Sequence, residues 1–149
     1  MHALIIEDES MIALAIEEAL RDWGFTSFDV AVSTEEALAA AIRKCPDLIT
    51  ADVELRPGCG IEAVHSICSE APIPVLFITG SPMEVRIRMP EHALVEKPFS
   101  PDDVAAAIRQ ALREPPEARL ARSRSHTIGF HSPIKSPSLS TKAETKWVR

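Results

Sequence analysis

The sequence predicts an α/β domain: a doubly wound parallel sheet of five strands with helices on both faces. Three observations lead there. Short apolar runs alternate five times with runs of helical period over residues 1–113. One run, IPVLFITG, is apolar almost throughout, as expected of a strand buried on both faces. The apolar runs end in acids, a hydroxyl or a lysine, and open parallel sheets bind ligands just beyond the carboxyl ends of their strands.

The elements follow in order. HALII is a short strand that runs into Glu7, Asp8 and Glu9. SMIALAIEEALRDWG places Ile12, Ala15, Ile16, Ala19, Leu20 and Trp23 at spacings of three and four, with Ser10 expected as N-cap and Gly24 as the stop. FTSFDVAV alternates weakly and suits a partly exposed edge strand. STEEALAAAIRK opens with Ser33 and carries Glu36 three residues later, the capping-box pattern, so a helix is expected to Lys44. DLITAD is a third strand, followed by a loop containing Arg56-Pro57-Gly58 and a helix through GIEAVHSICSE. IPVLFITG is the fourth strand, and SPMEVRIRMPEH is a weak helix that stops at Pro90. ALVE is a fifth strand. SPDDVAAAIRQALR is a fifth helix, with Ser100 as N-cap and Asp102 and Asp103 in its first turn. Five βα units give a parallel sheet, expected in the order 2-1-3-4-5 of flavodoxin-like domains.

Composition bounds the function. Residues 1–113 hold nine Lys/Arg against 19 Asp/Glu, a balance of −10, whereas residues 114–149 carry +4. An acidic domain is a poor autonomous binder of nucleic acid, because phosphate neutralisation needs clustered Lys and Arg. No apolar run approaches the roughly 20 residues needed to cross a bilayer, and no basic segment followed by a long apolar one opens the chain. Cys45, Cys59 and Cys68 are odd in number and lack paired spacing, which favours reduced thiols. A cytoplasmic location is expected. After Arg113 the chain turns rich in Pro, Ser and basic residues, and 114–149 is expected to be a disordered tail dispensable for folding. That tail is too short and irregular for a helix-turn-helix.

The acids at the strand ends ask for a cation. Adjacent carboxylates repel, and repulsion raises their pKa unless a cation collects them. Glu7 and Asp8 alone could be a solvated turn. The predicted topology, however, brings them to the edge where Asp52, Thr79 and Lys97 also end strands. Three carboxylates offering hard oxygen ligands suit Mg2+, which keeps several waters and binds phosphate oxygens readily. Lys97 adds a positive charge and Thr79 a hydroxyl, and a carboxylate beside a metal can itself attack phosphorus.

With these residues in place, the chain resembles the receiver domain of two-component response regulators over residues 2 to about 113. The matching pieces are Glu7-Asp8 after the first strand, ITADVELRPGCGIEAV around Asp52, Thr79 ending the fourth strand, and EKPF with Lys97. The resemblance implies that Asp52 accepts a phosphoryl group from a histidine kinase or histidine phosphotransfer protein. It implies that Asp8, Asp52 and the backbone carbonyl of Glu54 bind Mg2+, with Glu7 acting through water. Thr79 and Lys97 would hold phosphoryl oxygens, and the Lys97–Pro98 peptide would be cis. One position departs from the family: Leu94 stands where receivers usually carry an aromatic switch residue. With FITG at residues 77–80, this is similar to single-domain receivers bearing a Phe-Ala-Thr-Gly motif.

Taken singly, each site residue has a plainer reading: Lys97 a surface lysine, Thr79 a satisfied hydroxyl, Cys59 a loop thiol. His65, His126 and His131 show no paired ligand spacing, which argues against zinc. The expected function is a single-domain signalling module with output through the fourth helix, fifth strand and fifth helix to an unknown protein, or through onward phosphotransfer. Two rivals remain open: a phosphorylation-independent adaptor with a vestigial pocket, and an aspartate-nucleophile phosphatase. Against the phosphatase, Asp52-Val53-Glu54 is not on the first strand and no cap domain follows.

Overall fold

A computed structural model of the chain describes residues 1–69 and 71–113. The predicted tail, 114–149, lies outside the described residues. The elements run β1 (His2–Ile6), α1 (Ser10–Arg21), β2 (Ser27–Ala31), α2 (Thr34–Arg43), β3 (Leu48–Ala51), β4 (Glu54–Leu55), β5 (Gly58–Cys59), α3 (Gly60–Cys68), β6 (Val75–Thr79), α4 (Pro82–Arg88), β7 (Ala93–Glu96) and α5 (Pro101–Arg113). The main sheet is parallel, in the order β2-β1-β3-β6-β7, which is the expected 2-1-3-4-5 arrangement.

Side-chain alternation divides the core between the two faces of this sheet. Leu4, Ile6, Ile49, Ala51 and Phe77 point to one face and pack with Ala37 of α2, Val64 of α3 and Val85 of α4. Ala3, Ile5, Leu48, Leu76 and Ile78 point to the other and pack with Ile16 and Leu20 of α1 and Ile108 of α5. β1 and β6 are buried along their whole length, whereas β2 is half-exposed at the edge, as its weak alternation foretold. Each fully buried aliphatic or aromatic side chain contributes roughly 1.5–3 kcal/mol, so these strands are anchored from both sides.

Helix ends follow local chemistry. Ser33 caps α2 by accepting from the Glu36 amide at 3.2 Å, while the Glu36 carboxylate reaches back to the Val32 amide at 3.0 Å. At α5, Ser100 and Asp103 exchange hydrogen bonds in the same reciprocal manner. Ser10 is not a cap. Glu9 occupies that position, its carbonyl accepting the first helical bond from Ala13 at 3.0 Å, and Ser10 is the first helical residue. The Glu7 carboxylate, two residues before this cap, accepts from the Glu9 amide at 3.1 Å.

The expected loop after Asp52 contains an antiparallel hairpin, with Glu54 opposite Cys59 and Leu55 opposite Gly58. Its turn holds a cis Arg56–Pro57 peptide and Gly58 at φ +116, a conformation that favours glycine.

Candidate functional site

The sheet places Glu7, Asp52 and Lys97 one step beyond β1, β3 and β7, with Thr79 the last residue of β6, and fixes their backbones there. The Glu7 amide donates to the Ala31 carbonyl, the Asp52 amide to Ile6, and the Lys97 amide to Thr79, each at 2.9 Å. The ladder thus continues past the formal strand ends. It brings residues separated by up to 90 positions onto one edge.

There the side chains meet. Carboxylate oxygens of Glu7, Asp8 and Asp52 lie within 4.8 Å of one another. Lys97 Nζ donates to Glu7 Oε2 at 2.7 Å and to Asp52 Oδ2 at 2.8 Å. The Glu7 side chain is only 1% exposed and that of Asp52 7%, so this ammonium is the main compensation for two desolvated charges. Burial raises the pKa of Glu7, and the Lys97 and Glu9 hydrogen bonds oppose that rise without cancelling it. At Lys97 burial pulls the pKa down, but the hydrogen bonds to Asp52 and Glu7 prevail and raise it.

Around this cluster, Asp52 Oδ1 accepts from the Glu54 amide at 3.3 Å. Thr79 is fully buried, and its hydroxyl accepts from the Ser81 amide at 3.1 Å. The Glu54 side chain does not join the three carboxylates; it accepts from Ser81 Oγ at 2.5 Å. Leu94 is half-buried, paired in register with Phe77 and packed on the core. The Lys97–Pro98 peptide is cis. Ser81 was not singled out from the sequence, although a hydroxyl two residues past the Thr79 strand end was a usable signal.

The donor set fits Mg2+. The three carboxylates offer only oxygen donors, within 4.8 Å of one another, a little wider than the roughly 4.2 Å between oxygens across an octahedral Mg2+. A family model described as the response regulator receiver domain matches residues 3–109. The chain belongs to the response regulator receiver family.

Relatives of this receiver include the phyllosphere-induced regulator PhyR of Methylorubrum extorquens. It is 41% identical over 113 residues, covering 73% of this chain and 42% of that protein. A probable transcriptional regulatory protein, TcrX of Mycobacterium tuberculosis, is 35% identical over 117 residues, covering 74% and 49%. Among solved structures, the Erythrobacter litoralis PhyR receiver domain matches with a TM-score of 0.69 at 33% identity, covering 76% of this chain and 93% of that one. The receiver thus spans about half the length, or less, of these two curated relatives. No helix among the described residues is long and apolar enough to cross a membrane.

Proposed function

We propose that this receiver accepts a phosphoryl group on Asp52 from a histidine kinase or histidine phosphotransfer protein, with Mg2+, and acts as a cytoplasmic signalling switch rather than on a separate substrate. The observation that carries the reading is the meeting of Asp52 with Glu7, Asp8 and the Lys97 ammonium at one sheet edge. Asp8, Asp52 and the Glu54 carbonyl would hold Mg2+, with Glu7 supporting through water. The ion supplies positive charge that lets an anionic donor approach three carboxylates.

In the transfer, an Asp52 carboxylate oxygen attacks phosphorus. The P–N bond to the donor histidine breaks, and its electron pair stays on the imidazole nitrogen. Lys97 exchanges its bond to Asp52 Oδ2 for one to a phosphoryl oxygen. Thr79 rotates its side chain so that its hydroxyl donates to another, which carries Oγ1 away from the Ser81 amide. That movement releases the Ser81 amide, and with it the start of α4.

Leu94 offers no ring to rotate, so the signal passes through the segment from Ser81 to Leu94. Its helix, α4, has only seven residues and exposes Met83 and Ile87 one turn apart, 62% and 72% exposed. Such a face, with β7 and α5, suits an output protein. The name anti-anti-sigma factor, carried by the PhyR relative from Bartonella quintana (40% identical, TM-score 0.66), supports output by protein contact. A second reading, an adaptor that works without phosphate, draws on one observation: Lys97 already bridges Glu7 and Asp52.

Incubation with histidine-phosphorylated kinases separates the two. Label on wild type and none on Asp52→Asn, with amide exchange altered across residues 81–94 and blunted in Thr79→Ala, supports the switch. Label on neither, with partner binding unchanged by donor, supports the adaptor.

A further inference from the structure

Asp52 is followed by a hairpin whose far strand is held from outside. Thr34 Oγ1 accepts from the Cys59 amide at 3.2 Å and donates to the Cys59 carbonyl at 3.3 Å. A single hydroxyl therefore occupies both backbone groups of one residue, 25 positions away. This hydroxyl is not needed by its own helix, because Ser33 already caps α2. The contact is close: a Cβ on Gly58 would lie 2.5 Å from Thr34 Oγ1.

The clamp reaches the site in two steps. Cys59 is the antiparallel partner of Glu54. Glu54 in turn donates its amide to Asp52 Oδ1. At the hairpin's base, the Gly60 amide donates to the Val53 carbonyl at 3.0 Å, so the segment is short and tied at both ends. Displacing Cys59 moves Glu54, and with it one hydrogen bond to the phosphoacceptor.

We propose that Thr34 is a positioning residue for the phosphoacceptor loop: its hydroxyl, by clamping Cys59, holds Glu54 where its amide meets Asp52 and its carbonyl serves Mg2+. This rests on the function proposed above. Groups that orient metal ligands typically matter by about 10–100-fold in affinity or activity, and a clamp acting through one ligand falls at the lower end.

The test compares wild type, Thr34→Val and Thr34→Ser. Valine keeps the branched shape and the Ser33 cap but can neither donate nor accept; serine keeps the hydroxyl. Calorimetric titration with Mg2+ should show about tenfold weaker binding in Thr34→Val and near-wild-type binding in Thr34→Ser. The Mg2+ concentration for half-maximal labelling by acetyl phosphate should rise by the same factor, with the rate at saturating Mg2+ nearly unchanged. A lower melting temperature with unaltered Mg2+ affinity would overturn the proposal and leave Thr34 a structural staple. Equal impairment in both variants would also overturn it, because the hydroxyl that serine retains would then not preserve Mg2+ affinity. The calorimetry needs no phosphoryl donor. A wild type that binds Mg2+ but takes no phosphate would therefore refute the proposed function, while the Thr34 comparison is still decided on affinity.

Discussion

Replacing Lys97 by methionine tests the electrostatics of the cluster directly. Methionine fills much of the lysine stem but leaves Glu7 and Asp52, both more than nine-tenths buried, facing each other without the ammonium now 2.7 and 2.8 Å away. Removing one partner of a buried ion pair costs about 3–5 kcal/mol, and the residual exposure of Lys97 places this case near the lower figure, ~3 kcal/mol. For a domain of this size that is a fall of about 10–15 °C in melting temperature.

The loss must depend on pH. Glu7 already has a raised pKa from burial, and without Lys97 it rises further. An acid whose folded pKa exceeds its unfolded value binds more protons when native. Its burden on stability is therefore absent below its ordinary value near 4.5 and grows as pH rises through the folded value. In wild type the Lys97 contribution is fully present below its ordinary 10.5 and is lost only as pH climbs through its raised folded value. Urea melts of both proteins at about pH 5 and about pH 7 should show the deficit shrinking at the lower pH. Millimolar Mg2+ at the higher pH should also shrink it. A deficit of the same size at both pH values, or below about 1 kcal/mol, would refute the reasoning.

Other outcomes follow from single contacts. In Gly60→Ala the new Cβ would stand 1.7 Å from the Asp52 carbonyl oxygen, so a loss of at least ~2 kcal/mol is expected in chemical melts. Gly80→Ala, whose Cβ meets nothing within 4 Å, should stay within about 0.5 kcal/mol and serves as its control. Thr50 Oγ1 is buried in β3 with no hydrogen-bond partner among the described residues, so Thr50→Val should stabilise by roughly 1 kcal/mol in the same melts. Burial pushes the Cys68 thiol up to about 12, which leaves a thiolate fraction on the order of 10⁻⁴ at about pH 8. Timed titration with a disulfide reagent should therefore label exposed Cys45 first and Cys68 far more slowly, with unfolding removing the difference.

Most of the fold and the site were legible because period and position sufficed. The unbroken apolar run at IPVLFITG, the capping pattern at Ser33 and Glu36, and acids at strand ends are local signals, and parallel topology carried Glu7, Asp52, Thr79 and Lys97 to one edge. What escaped depends on contacts between distant segments. The β4–β5 hairpin has two residues per strand, too few for any alternation, and its outside contacts come from Thr34, 25 positions away, and from the Gly60 amide on Val53. Ser10 was expected as a cap because serine is among the residues favoured at that position. The helix instead starts one residue earlier, with Glu9 at the cap and its amide bonded to the Glu7 carboxylate. Lys97 was legible as a cation at a strand end beside the acids, but its bridge between two carboxylates required the register of β7 against β6.

The most direct test of the central claim is the intact mass of the protein after incubation with acetyl phosphate, for wild type and Asp52→Asn, with Mg2+ and with EDTA. The account predicts a gain of about 80 Da, one phosphoryl group, for wild type with Mg2+ alone. An equal gain in Asp52→Asn, an equal gain under EDTA, or no gain in wild type with Mg2+ would contradict it.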